Sequence, residues 1–269
     1  MAIPYYHVDS FTERIFGGNP AGVCLLPAFA ADATLKKIAA ENRHSETAFV
    51  VARADGDFDL RWFTPEVEDD LCGHATLAAA FVLLLRKHND WPVRFHTRSG
   101  VLTVNRLDDL FEMDFPSRPP VSCEGWPELL SALGLEKGEV LRSVRDALVV
   151  LDHTEQVRSL RPNFAALMKL DLGIGGAIVT AAGGLGEDDP DVDYVCRLFA
   201  PSVGINEDPA TGSIHCTLAP FWAERTGKQA FRARQLSARG GRMECRILGD
   251  RVRISGRARL YLEGSLHLE

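Results

Sequence analysis

Three short segments hold the residues whose types and spacing suit chemistry. Glu46 stands in Ser45-Glu46-Thr47-Ala48-Phe49, where a glutamate opens an apolar run. Cys72-Gly73-His74-Ala75-Thr76 brings a thiol and an imidazole within two residues of each other, ahead of a long apolar stretch. Glu207-Asp208-Pro209-Ala210-Thr211-Gly212-Ser213 sets two carboxylates and two hydroxyls around a glycine. A glutamate at the mouth of an apolar strand is partly desolvated, which raises its pKa toward neutrality and suits proton transfer. Most glutamates are solvated at the surface, and the neighbours of Glu46 leave that role open.

Each of the other two segments reads as a loop that opens a helix. A helix N-terminus offers unsatisfied N–H groups and a partial positive charge, so it is a ready anion site. Gly73 and Gly212 let the backbone come close to a ligand there, or merely permit a tight turn. His74 falls in a first helical turn, where the dipole disfavours its protonated form and keeps it a neutral donor or base. Asp208 is equally suited to N-capping its helix.

The elements that carry these residues occur twice. Arg61-Trp62-Phe63-Thr64-Pro65 leads to Cys72-Gly73-His74, and Arg197-Leu198-Phe199-Ala200-Pro201 leads to Asp208 and Gly212. Overlaid without a gap, Phe63 meets Phe199, Pro65 meets Pro201 and Cys72 falls on Asp208. An apolar helix follows each loop, over residues 75–85 and 214–223. Each is followed by a strand-turn-strand, over residues 93–104 and 235–247. Asp32 is the expected N-cap of a helix through Leu35, Ile38 and Asn42, with strands at 47–51 and 58–63 after it. A helix over 163–170 and strands at 177–181 and 194–199 complete the second set. The pattern predicts an α+β fold of two pseudo-symmetric α/β domains, with a ligand held in the cleft between them. The Pro-rich stretch Pro116 to Pro120 sets the expected division at residues 1–118 and 119–269, with the last strand free to cross back to the first domain.

Composition narrows the function classes. Thirty Lys and Arg against 37 Asp and Glu give a net charge of −7. Without a basic stripe, nucleic acid and anionic membrane surfaces are poor partners. The apolar run at 75–85 is about half the roughly 20 residues a bilayer crossing needs, so no membrane span is expected. Six scattered cysteines without a C-x-x-C pair imply free thiols in a reducing cytoplasm. The glycine run at 173–178 departs from the dinucleotide fingerprint, with Ile178 where the third glycine belongs. No nucleotide loop or metal-ligand spacing is present, and no cofactor or metal is expected.

Taken together, the segments resemble the PhzF family, named for the phenazine-biosynthesis isomerase, within the diaminopimelate-epimerase-like fold. The resemblance covers nearly the whole chain. It includes Phe16-Gly17-Gly18-Asn19-Pro20-Ala21-Gly22-Val23, Trp62-Phe63-Thr64-Pro65, Arg239-Gly240-Gly241 and the three segments above. It implies a cofactor-independent isomerase, commonly a homodimer, acting on a small anionic substrate that bears a carboxylate. Glu46 then matches the group that takes a proton from one carbon and returns it to another. His74 and Asp208 match residues that orient the substrate and assist. Gly73, Gly212 and Ser213 match the groups that hold it, with Cys72 and Thr211 beside them. The segment His215 to Trp222 looks more like the branch without a known reaction than like the phenazine enzyme.

Two other readings stand beside this one. Relatives of the fold that racemise amino acids use two facing cysteines, but the counterpart of Cys72 is Asp208, which leaves only an asymmetric Cys72/Asp208 pair. Cys216, eight residues further on, is expected about two turns into its helix, roughly 12 Å from the N-terminus. The third reading is a non-catalytic member that binds a small molecule or protein; the intact Glu46, His74 and Asp208 weigh against it.

Overall fold

A computed structural model describes residues 2–88, 90–173, 175–183 and 190–268. Ile174 of the glycine run lies outside the described residues. The chain divides into two compact units, Met1–Asp114 with Ser255–Glu269, and Phe115–Ile254. Where the sequence places the division between residues 118 and 119, the chain passes from the first unit to the second at 114/115 and returns at 254/255.

In chain order the elements begin with β1 (Ala2–Ser10), β2 (Asn19–Leu26), α1 (Asp32–Asn42), β3 (Glu46–Ala52), β4 (Phe58–Phe63) and β5 (Glu68–Asp69). There follow α2 (Gly73–Leu85), β6 (Val93–Thr97), β7 (Gly100–Leu107) and β8 (Leu110–Pro116). Next come β9 (Val121–Ser122), α3 (Pro127–Leu133), β10 (Glu139–Arg142), β11 (Asp146–Val150), α4 (Thr154–Ser159) and α5 (Phe164–Leu167). The chain continues through β12 (Gly176–Ala182), β13 (Tyr194–Ala200), β14 (Ile205–Asp208) and α6 (His215–Thr226). It ends with β15 (Ala230–Gln235), β16 (Gly241–Leu248), β17 (Arg251–Gly256) and β18 (Ala258–His267).

The duplication shows in the pairing. In the first unit β2 and β3 run parallel, β3 and β4 antiparallel, β4 and β6 parallel, and β6 and β7 antiparallel. In the second, β11 and β12 are parallel, β12 and β13 antiparallel, β13 and β15 parallel, and β15 and β16 antiparallel. The order of parallel and antiparallel neighbours is thus the same twice. In the first unit β18 adds an antiparallel strand to the outer side of β1.

A helix lies at the heart of each unit. In α2 every residue from His74 to Ala80 is buried, as a helix packed on β1, β2 and β3 must be. In α6 the buried set runs from His215 to Ala219 and resumes at Phe221 and Trp222. Pro220 sits inside α6, where it cannot donate to the carbonyl four residues earlier. That carbonyl, on Cys216, instead accepts the backbone N–H of Arg118 at 2.8 Å, so the Pro-rich stretch is tied to the helix at the point the proline leaves open.

Three expected boundaries shift for physical reasons. Ala31, not Asp32, is the N-cap of α1: Ala31 holds the non-helical backbone (φ −58°, ψ 143°), and Asp32, already helical, lies with its carboxylate 2.9 Å from Arg61 Nη2. The helix over 163–170 is only Phe164–Leu167; Asn163 caps it, and Lys169 and Leu170 close back as three-residue turns. The helix expected at 214 begins at His215 and runs three residues beyond 223.

Gly18 shows why the segment before β2 is glycine-rich. It has φ +61°, and a Cβ there would stand 2.0 Å from the carbonyl oxygen of Ser10. Ser10 pairs with Asn19 across β1 and β2. Gly18→Ala must therefore push the two strands apart as well as hold a strained backbone. A loss of about 3 kcal/mol is expected in chemical denaturation; an unchanged midpoint would show that the strands give without cost.

Asp146, at the start of β11, is a buried acid. Burial pushes its carboxyl up to about 6, outweighing Arg145, Ser143 and Arg118, which pull it down. Because its folded pKa lies above its unfolded value, the stability it contributes is full below about pH 4 and is lost as pH rises through 6. Relative to Asp146→Asn, the wild type should therefore lose about 2–3 kcal/mol between pH 4 and pH 7. Paired denaturation curves at the two pH values read this directly; a constant difference would refute it.

Candidate active site

The expected site residues fall in two groups, one in each unit. In the first, α1 ends on Arg43 in the left-handed conformation, and the chain turns through Ser45 into β3. Glu46 is the first residue of that strand and pairs with Ala21 of the parallel β2. It is 7% exposed. Burial raises its carboxyl to about 7, assisted by the charge of Asp69 and opposed by hydrogen bonds from Ser45 and Cys72. A carboxyl so placed can both take a proton and return it near neutral pH.

His74 meets Glu46 from α2. Its Nε2 is 3.2 Å from Glu46 Oε2 and 3.4 Å from Ser45 Oγ, and its Nδ1 is 3.5 Å from Cys72 Sγ. Ser10 Oγ donates to the His74 carbonyl at 2.8 Å, which ties β1 to the start of α2. Ser45 Oγ also donates to Asn19 Oδ1 at 3.4 Å. The approach of His74 to Glu46 is close but off the line of a hydrogen bond, so Glu46 Oε2 is buried without one. A buried acceptor left unsatisfied costs about 1–3 kcal/mol, and such an atom calls for a partner from a ligand.

Cys72 is the N-cap of α2, extended in backbone, and Gly73 is the first helical residue. The thiol does not cap; the Cys72 carbonyl instead accepts the Thr76 hydroxyl at 2.5 Å. Neither Gly73 nor Gly212 is among the glycines of positive φ, so a left-handed turn is not what selects glycine at either place.

In the second unit Asp208 ends β14 and is buried. It is not the N-cap of α6, which is Ile214. Its Oδ2 accepts the Thr211 hydroxyl, and its carbonyl accepts Gln235 Nε2 at 2.7 Å. Gln235 Oε1 in turn accepts the Thr211 N–H at 2.8 Å, and Ser237 Oγ donates to the Pro209 carbonyl at 2.6 Å. The loop from Pro209 to Ser213 is thus laced to the end of β15 and to Ser237 just beyond it. Gly212 is buried and Ser213 half-buried, and their carbonyls accept the N–H groups of His215 and Cys216 as α6 begins.

This longer loop corrects the placing of Cys216. The helix begins at His215, one residue from the expected start, so Cys216, whose expected depth counts from Asp208, lies in the first turn of α6 rather than two turns in. What makes it a poor base is burial, which pushes its thiol up to about 11.

The register also shows where the two halves part company. Thr47 pairs with Phe63 as Ala177 pairs with Phe199, and Glu46 pairs with Ala21 as Gly176 pairs with Asp146. Gly176 therefore holds the place of Glu46, and the second half carries no acid there. Both halves do share an arginine fork. Arg61 donates to Glu68 at 2.7 and 2.6 Å over the Phe63 ring, and Arg197 donates to Glu207 at 2.7 and 2.9 Å over the Phe199 ring. Each fork fastens the strand that leads into the loop bearing Cys72 or Asp208. Sequence reading missed the forks, along with Ser45, Asn19 and Gln235. The repeat aligned the arginines, but the acids stand at unmatched positions.

The fold is that of the epimerase-like α+β proteins. A hydroxyproline epimerase of Agrobacterium vitis matches 98% of this chain over 92% of its own, with a TM-score of 0.61 and 12% identity, a likeness of fold alone. The family model described as phenazine biosynthesis-like protein, PhzC-PhzF, matches residues 8–264, and the chain belongs to this PhzF family. A crystal structure of a PhzF family protein from Enterococcus faecalis matches all of both chains with a TM-score of 0.94 and 43% identity. An uncharacterized isomerase of Pseudomonas aeruginosa is 50% identical over 269 residues, covering 100% of each chain. Isomerase is the class that this membership supports. Among the described residues no helix is long and apolar enough to cross a membrane, and all six cysteines are free thiols.

Proposed function

We propose that the chain is a cofactor-independent isomerase in which Glu46 moves a proton between carbons of a small carboxylate-bearing substrate. The observation that carries this reading is the buried Glu46 Oε2, which has no hydrogen bond and lies 3.2 Å from His74 Nε2. A base needs an open lone pair, and the buried Oε2 offers one. His74 has a partner on either nitrogen, Ser45 at Nε2 and Cys72 at Nδ1, so either neutral tautomer is accommodated beside Glu46. The first-turn amides of α2 from Gly73 onward suit an anionic group of the substrate. From the second unit, Asp208 is assigned to orienting the substrate, and Thr211, Gly212 and Ser213 to binding it. The same reading has a homodimer working in the cytoplasm.

The test is proton NMR in D₂O of dihydro-hydroxyanthranilate and a panel of related cyclic and amino acids. Deuterium entering one carbon, or a double bond moving, supports the shuttle and names the substrate class. Enzyme-dependent turnover of a panel member without any exchange of a carbon-bound proton would defeat it.

A further inference from the structure

The residues around Glu46 have a second chemical capacity. Among the described residues, two groups place three side chains within metal-binding reach of one another. One, formed by Asp55, Asp57 and His96, is already neutralised: Arg53 donates to Asp55, and Arg94 lies 2.9 Å from Asp57. The other is Glu46, Cys72 and His74, all buried, with one ligand atom from each lying within 4.8 Å of the other two. The groups that act on the Glu46 carboxyl are Ser45, Asp69, Cys72 and His74, with no arginine or lysine among them.

We propose that Glu46, Cys72 and His74 bind a divalent cation of the zinc class. Thiolate, imidazole and carboxylate are the ligands that such a borderline-soft ion takes. The spacing fits as well. Zinc bonds of about 2.3 Å to sulfur and about 2.0–2.1 Å to nitrogen, held at a tetrahedral angle, put the two ligand atoms about 3.6 Å apart. Cys72 Sγ and His74 Nδ1 stand 3.5 Å apart. Glu46 is the third ligand through a carboxylate oxygen within 4.8 Å of the other two ligand atoms, and three protein ligands leave a fourth position for water or substrate. The thiol gives up its proton to solvent on binding. A cation here holds the carboxylate assigned to proton transfer, so zinc should act as a reversible inhibitor. That consequence rests on the proposed function; the binding itself does not.

The test is a titration of chelator-stripped protein with Co²⁺, without substrate. One equivalent should raise a thiolate-to-cobalt charge-transfer band in the wild type and in Cys216→Ser, and none in Cys72→Ser. Glu46→Gln should weaken binding by at least about 10-fold, since it removes a ligating carboxylate and loss of a group that merely supports a ligand already costs that much. X-ray absorption of the zinc-loaded wild type, which needs no variant, should show a single sulfur among nitrogen and oxygen neighbours. A wild type without the band, a band that survives Cys72→Ser in folded protein, or a zinc site without sulfur would each overturn the proposal. Proton exchange by a wild type that gives no band when titrated with Co²⁺ would sink the cation site alone. A cobalt band with no effect of zinc on exchange would count against Glu46 as the proton carrier.

Discussion

Glu46→Gln should slow deuterium exchange into the substrate by about 10²–10⁴-fold, the usual contribution of a positioned acid or base. The amide keeps the size and shape of the carboxyl group but cannot accept and return a proton. The cluster around it should survive, because Ser10 still holds the His74 carbonyl and Asn19 still meets Ser45. Substrate affinity should change little, since the amides at the start of α2 are untouched. The unfolding temperature should be no lower than that of the wild type, because the change removes a buried carboxylate that lacks a hydrogen bond on one oxygen. Loss of exchange with an intact fold separates chemistry from structure. Wild-type exchange in this variant would remove Glu46 from the mechanism.

Arg197→Ala should cost about 3–5 kcal/mol of stability. The guanidinium is buried and satisfies more than its ion pair with Glu207. Its Nη1 also donates to the carbonyls of Val157, Arg158 and Leu160, at 3.1, 3.3 and 3.0 Å, where α4 ends. A helix C-terminus carries partial negative charge and unpaired carbonyls, so a cation there is doubly suited. Truncation strands these acceptors and leaves Glu207 next to the Asp208 strand without its partner. Arg197→Lys should recover little, because one ammonium cannot reproduce the planar fork. Chemical denaturation of both variants measures this, and a loss below about 1 kcal/mol for alanine would show that water replaces the fork.

Legibility in the sequence divides along physical lines. The buried helix α2 is legible because its apolar run has no polar face to confuse the period. β3 is legible from Thr47 to Val51, and its neighbours correctly put Glu46 at the mouth of a desolvated strand. The start of α6 is legible to within a residue, but the depth of Cys216 in it is not, because the gapless overlay of Cys72 on Asp208 hides six residues of loop. That loop is held by Gln235 and Ser237, far away in sequence. Asp32 misleads by one residue only: a good capping type stands as the first helical residue, where an acid is also favoured. The raised carboxyl of Asp146 depends on packing from several segments and leaves no signal at all.

The ladder joining the first and last strands has a consequence for how the molecule is made. β1 pairs with β18 from Ala2 with His267 to Ser10 with Ala258. On the ribosome, the opening strand must therefore wait for the closing one while the whole second unit, Phe115–Ile254, is synthesised, about 7–28 s at ordinary elongation rates. During that interval the outer edge of β1 is bare, with Ile3, Tyr5 and other apolar side chains close by. The second unit is a continuous stretch and has everything it needs before the first is finished. Biosynthesis thus inverts the order written in the sequence, and the half bearing Glu46 is the last to close.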